Sequence, residues 1–207
     1  MNAATVHQDI TGPAGPIACA VDEPAGGAAP AGVAVLCHPH PQHGGTMDNK
    51  VVQTMARAMV QLGWRSVRFN FRGVGRSAGA WDEGRGEVDD AMAVIDAFRD
   101  PALPLALGGF SFGGYVATQA ASRLASAGVA VERIVLVGPA ARNFPLAPVP
   151  QDSIVIHGEA DDVVPLTAVL DWARPQVLPV VVVPGTGHFF HGQLPLLRQL
   201  IVGAWRR

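Results

Sequence analysis

A serine hydroxyl becomes a useful nucleophile when it stands clear of the backbone and a base can reach it. The run Gly109-Phe110-Ser111-Phe112-Gly113 satisfies the first condition. It lies between an apolar stretch that reads as a strand, Leu105 to Phe110, and a helix from about Gly113 to Ala125. On such a strand-to-helix turn the serine projects from the sheet, provided the positions two before and two after it lack side chains. Gly108 and Gly114 relieve the same crowding, and the helix N-terminus favours negative charge developing beside the hydroxyl. Two more loops follow apolar runs. One, Ile156 to Pro165, is acidic and holds Asp161 and Asp162; the other, Pro184 to Phe190, is Gly-rich and holds His188. Taken singly, the first reads as a solvated turn and the second as a turn with a histidine in it. Taken together, Ser111, Asp161 and His188 stand at the C-terminal ends of three different strands. In a parallel sheet those ends share the edge where ligands bind, and the three residue types are the nucleophile, orienting acid and base of acyl transfer.

The elements that must position them follow from hydrophobic patterning. Two strands come first, Thr5 to Ile10 and Ile17 to Asp22, and an Ala/Gly/Pro-rich connection spans Ala25 to Gly32. From there strands alternate with helices. Strands are expected at Val33–Cys37, Ser66–Phe71, Leu105–Phe110, Arg133–Val137, Ser153–His157 and Val180–Val183. Helices are expected at about 50–62, capped by Asp48 or Asn49 and ended by Gly63, then at 88–98, 113–125, 166–172 and 194–205. Runs such as VAVLC, LALGGF, IVLVG, IVIH and VVVV read as strands buried on both faces, as in a parallel sheet covered by helices. The fold class is therefore α/β with an antiparallel pair at the start. With 207 residues, 49% hydrophobic and 15% charged, the chain reads as one globular domain over 1–207 rather than a disordered segment. A net charge of −2 gives no reason to expect nucleic acid or an anionic membrane as partner. Cys19 and Cys37 lie in apolar runs and read as buried thiols, with no disulfide framework. The start MNAATVHQDI lacks a basic segment followed by an apolar one, so no signal peptide is expected. A soluble, reducing, cytoplasmic setting follows as the expectation.

With the elbow in place, the stretches HPHPQHGGTMDNKVV, VRFNFRGVGRSAGAWDEG and GEVDD carry a family resemblance. The chain resembles the α/β-hydrolase superfamily over nearly its whole length. These stretches resemble small cap-less bacterial hydrolases near the dienelactone-hydrolase-like and prolyl-oligopeptidase-like branches. The resemblance implies a mostly parallel sheet of about eight strands with helices on both faces, a Ser-Asp-His triad in that chain order, and esterase-like activity. Dienelactone hydrolases carry a cysteine nucleophile where this elbow holds Ser111. Asp161 rather than Asp162 falls in the family-like register G-x-x-D-x-x-V-P, here Gly158, Asp161 and Val164-Pro165. His191 is the weaker alternative to His188, beyond the Gly-His turn. A cap in this scaffold enters after the strand Arg133 to Val137, and here only the Pro-rich segment Gly138 to Asp152 is available, so an open site without a cap is expected.

An oxyanion needs donors. Phe112, one residue past the nucleophile, supplies one backbone N–H. The second is expected from His38-Pro39-His40-Pro41, where His40 stands between two prolines that lack an N–H; the superfamily pattern places a donor at about this offset. The competing reading is a metal bound by His38, His40 and His43, and no carboxylate or cysteine lies beside them to complete it. Neither metal nor cofactor is expected. Arg72-Gly73-Val74-Gly75-Arg76-Ser77 lacks P-loop spacing and resembles the R-G-x-G-x-S turn of these hydrolases, a structural element. Glu87, Asp89 and Asp90 suit a helix N-terminus. Met47, Trp81, Phe110, Phe112, Val164, Phe189 and Phe190 are candidates for an apolar acyl pocket. The expected substrate is a small-molecule acyl ester, with a thioester, a peptide or a silent binding domain as alternatives.

Overall fold

The computed structural model describes residues 5–206. Met1 to Ala4, part of the stretch from which no signal peptide is expected, and Arg207 lie outside the described residues. The strands β1 (Val6–Gly12), β2 (Gly15–Asp22), β3 (Val33–Cys37), β4 (Arg65–Phe69), β5 (Leu105–Phe110), β6 (Arg133–Val137), β7 (Ile154–Gly158) and β8 (Val180–Val183) form one sheet. Its order is β1-β2-β4-β3-β5-β6-β7-β8. β1 and β2 form an antiparallel hairpin, and β2 is also antiparallel to β4. From β4 to β8 every neighbouring pair is parallel. This is the α/β-hydrolase arrangement, and the segment from Gly138 to Ser153 between β6 and β7 carries no helix or strand that could form a cap.

Strand alternation sends side chains to two cores. On one face Val33, Val35 and Cys37 of β3 pack with helices α2 (Arg85–Phe98), α3 (Phe112–Ser126) and α4 (Leu166–Ala173). On the other, Leu36, Phe110, Val135 and Ile156 pack with α1 (Lys50–Gln61) and α5 (Leu194–Trp205). Asn49 caps α1, its Oδ1 accepting from the Val51 N–H at 2.9 Å, and Gly63 turns the chain with φ of 84°. No helix among the described residues is long and apolar enough to cross a membrane.

Three sequence expectations need correction. The VVVV run is not buried on both faces: β8 is the sheet's edge, with Val181 39% and Val182 36% exposed. β4 stops at Phe69 rather than Phe71, because the Phe71 N–H turns to His38 Nε2 (3.0 Å) instead of a strand neighbour. Helix α2 starts at Arg85, so only Glu87 of the acidic trio serves its N-terminus, accepting from the Gly84 and Asp82 N–H groups at 2.8 and 3.0 Å. Asp90 is buried and grips Arg72, accepting from its backbone N–H at 2.9 Å and its guanidinium at 2.8 and 3.0 Å. Asp89 pairs with Arg123 on α3. The Arg72–Ser77 turn is thus anchored from the helix side. Ser77 Oγ anchors it from the sheet side, donating to Asn70 O (2.7 Å) and accepting from the Ala18 N–H (3.0 Å).

Candidate active site

Ser111 follows β5 directly and has φ 55° and ψ −120°, a conformation that costs a non-glycine residue about 1–3 kcal/mol and persists only where the surroundings impose it. They do so here through backbone hydrogen bonds. The Ser111 N–H donates to Val137 O (3.0 Å), while Ser111 O accepts from the Gly114 and Ala140 N–H groups (2.9 and 3.2 Å). A Cβ at Gly109 would collide with Gly113 O, and one at Gly113 with Cys37 O. The elbow is therefore packed backbone against backbone, which explains the glycines on either side of the serine. Gly108 and Gly114 have different neighbours: a Cβ at Gly108 would press on Leu36 and Met55, and one at Gly114 on Pro139.

Asp161 and His188 meet across two loops. The Ala160 N–H donates to Thr186 O (3.0 Å), and a Cβ at Gly158 would strike that same carbonyl, so the loops after β7 and β8 lie in contact. Asp161 divides its oxygens: Oδ1 accepts from the Val163 and Val164 N–H groups (3.0 and 2.7 Å), and Oδ2 accepts from His188 Nδ1 (2.7 Å). An ionised carboxylate only accepts, so Nδ1 of His188 is the donor, and in the neutral ring the lone pair falls on Nε2. Burial pushes the Asp161 carboxyl up, but the hydrogen bonds from His188 and Val164 and the neighbouring imidazoles outweigh it and hold the group below its ordinary value. Asp162 is exposed, as is His191, whose ring lies tilted beside Phe189. Among the described residues neither Ser111 Oγ nor His188 Nε2 has a hydrogen-bond partner. Both residues line one cavity of about 130 Å³, with Pro39, His40, His43, Gly44, Gly45, Asn49, Val163 and Phe189.

Two residues of this region escape a sequence reading. Gly138 (φ 49°) lies against the Asp161–His188 pair: a Cβ there would sit 3.4 Å from His188 Nδ1 and 3.5 Å from Asp161 Oδ2. Its one signal is a glycine directly after an apolar strand. His157 is buried, donates from Nε2 to Val164 O (2.9 Å), and places that nitrogen 3.6 Å from Asp161 Oδ2. Burial lowers its pKa, against the opposing pull of the nearby Asp161 charge.

The loop after β3 spends its histidines unequally. His38 is buried; Nδ1 donates to Pro39 O (2.6 Å) and Nε2 accepts from the Phe71 N–H, so neither nitrogen is available to a metal. His40 Nδ1 accepts from the Gln42 N–H (3.2 Å), and its ring lies against His43 and Trp81, each at 4.4 Å between centroids. That bond occupies the Gln42 N–H, whereas the His40 and Phe112 N–H groups have no partner among the described residues. The apolar pocket expected from the sequence is not assembled. Met47, Phe110, Phe112, Val164 and Phe190 are core residues, Trp81 packs on His40 and Phe112 outside the cavity lining, and of that set only Phe189 faces the cavity. The thiols take no part: burial pushes Cys19 up to about 12 and Cys37 higher still.

Burial pulls the His38 pKa down to about 3, against about 6.5 in an unfolded chain. Between these values the unfolded state binds a proton that the folded state refuses. Stability should therefore fall as pH drops from about 6.5 towards 3, by up to about 1.4 kcal/mol per pH unit from this residue. Urea midpoints at pH 7 and pH 5 check this: His38→Gln should show a shallower acid loss than the wild type, and an equal loss would remove His38 as its source.

Comparison with known proteins agrees with this architecture. Residues 29–152 match the family model described as serine aminopeptidase, S33. A Xanthomonas campestris protein, described as an α/β serine hydrolase without a lid, is 40% identical, with 100% of this chain and 96% of that one covered at a TM-score of 0.89. An α/β serine hydrolase homologue from Coxiella burnetii is 37% identical, with 96% of each chain covered and a TM-score of 0.82. The chain belongs to this family of α/β serine hydrolases. An uncharacterized protein of Rickettsia prowazekii is 34% identical over 148 residues; the match takes in 67% of this chain and spans 60% of that relative's length.

Proposed function

We propose that this chain cleaves small acyl esters through an acyl-enzyme, with Ser111 as nucleophile, His188 as general base and Asp161 as the acid that orients it. One observation carries the reading: Ser111, on its strained elbow, faces the same cavity as His188, whose Nδ1 is tied to Asp161. Nε2 takes the Ser111 proton as Oγ attacks the carbonyl carbon, and the Asp161 carboxylate stabilises the imidazolium. The C–O bond to the alcohol then breaks, and Nε2 passes its proton to the leaving oxygen. Water repeats the sequence: its proton goes to Nε2, its oxygen joins the acyl carbon, and Ser111 Oγ leaves with the proton returned. The unspent N–H groups of His40 and Phe112 are the oxyanion donors. The missing Ser111–His188 hydrogen bond is no obstacle, since such contacts tighten when substrate binds.

The cavity is small, about 130 Å³, which suits a short acyl group. The family's aminopeptidase name suggests a peptide substrate instead. An aminopeptidase needs a carboxylate for the substrate's α-ammonium, and none of the residues lining this cavity is acidic, which favours the ester. A panel of acetyl to octanoyl esters, matching thioesters and aminoacyl amides tests this; fastest turnover of the amides would replace the ester reading.

The donor assignment has its own test. His40→Pro removes the N–H and should lower kcat by about 10²- to 10³-fold while the protein stays folded by circular dichroism. His40→Ala keeps the N–H and should lose far less. Equal losses would place the effect in the ring, which caps the Gln42 turn, and not in the backbone donor.

A further inference from the structure

Among the exposed large apolar side chains, Val163 and Phe189, each 44% exposed, border the Ser111 cavity. The others, Val6, Val177, Val181, Val182 and Leu196, do not line it. Phe189 is held in place. Its ring lies edge-on to Phe110 and to His188, with centroids 5.9 and 5.1 Å apart, and His191 packs on it at 5.8 Å. Val163 is fixed by its N–H on Asp161 Oδ1. An aromatic face and a branched aliphatic side chain thus stay open to solvent at the rim of the cavity that holds Ser111 and His188.

The chemistry indicates what they face. In the tetrahedral intermediate the acyl carbon carries four groups. Oγ is Ser111's, and the oxyanion points to the His40 and Phe112 N–H groups. The leaving oxygen must lie at His188 Nε2, because it receives its proton there. The acyl substituent takes the direction that remains. Of the cavity residues Phe189 is in ring contact with His188, and Val163 follows on the Asp161 loop, whereas His43, Gly44 and Gly45 belong to the loop of His40. Resting on the catalytic reading above, we infer that Val163 and Phe189 form the leaving-group subsite and select esters of apolar, preferably aromatic, alcohols. No Asp, Glu, Lys or Arg lines the cavity, so a leaving group that bears charge finds no counter-charge there.

The test compares benzyl acetate with 2-methoxyethyl acetate, whose alcohols have similar acidity but opposite polarity, in the intact chain. The wild type should favour the benzyl ester in kcat/KM. Phe189→Ala and Val163→Ser should each lower the benzyl-to-methoxyethyl ratio about three- to tenfold, and Phe189→Leu should fall between. Val177→Ala, which removes an exposed apolar side chain outside the cavity, should leave the ratio as it was. Labelling of Ser111 by a fluorophosphonate separates the two levels of the idea. If Phe189→Ala still labels and turns over but keeps the wild-type ratio, the subsite is wrong and the catalytic reading stands. The subsite is equally wrong if Phe189→Ala instead changes the butyrate-to-acetate ratio at a constant alcohol. A wild type that neither labels nor hydrolyses either ester overturns the catalytic reading and this inference with it.

Discussion

Ser111→Ala is expected to abolish covalent labelling by fluorophosphonates and to lower esterase kcat by about 10³-fold or more. The expectation rests on how little else the hydroxyl does. Ser111 Oγ has no hydrogen-bond partner among the described residues, and the bonds that hold the elbow use the backbone N–H and C=O of residue 111. Alanine can occupy the same φ and ψ at a similar strain. The variant should therefore melt close to the wild type while losing its chemistry, so that a drop in rate reports the nucleophile and not the fold. If the proposed donors and cavity act as inferred, residual turnover should remain above the rate in water. A Ser111→Ala protein that keeps most of its activity after removal of contaminating esterases would sink the assignment.

Asp161→Asn should be the second most damaging change, up to about 10⁴-fold in kcat by analogy with the template triad. The two hydrogen bonds at Oδ1 come from the Val163 and Val164 N–H groups, and only an oxygen can accept them. An asparagine must then turn its NH₂ towards His188. That reverses the bond now running from Nδ1 to Oδ2, so Nδ1 becomes the acceptor and the proton moves to Nε2. The imidazole then has no lone pair for the Ser111 proton. Asp162 is exposed and makes no bond to His188, so Asp162→Asn should stay within a few-fold of wild type. Steady-state kinetics on the two variants decide between the neighbours, and a larger loss at 162 would mean that the working loop differs from this geometry.

The resemblance to cap-less α/β hydrolases and the sheet that it implies were legible because their signals are local. Val33–Cys37, Leu105–Phe110, Arg133–Val137 and Val180–Val183 form strands with the bounds that their apolar runs and flanking breaks indicate. The elbow is local too: Gly109 and Gly113 are required by collisions between backbone atoms a few residues apart and with the end of β3, and glycine spacing records that in the chain itself. What the sequence determined by itself is this scaffold and the short list of groups that could do chemistry on its edge. Contacts between distant segments were decided only in three dimensions. Asp161 and Asp162 are adjacent in an acidic loop, and the one that turns inward is set by loop packing against a segment 27 residues further on. Asp90 looks like a helix-capping acid until Arg72, 18 residues away, is folded beside it. Val181 and Val182 read as core, and nothing in a run of valines says that no strand lies beyond β8. The aromatic residues that suggest an acyl pocket went mostly to the core, because burial of apolar area is indifferent to where a cavity will open. Tertiary structure alone left Phe189 at the mouth and placed Gly138 and His157 against the Asp161–His188 pair, since side-chain packing, unlike periodicity, depends on which surfaces the chain brings together.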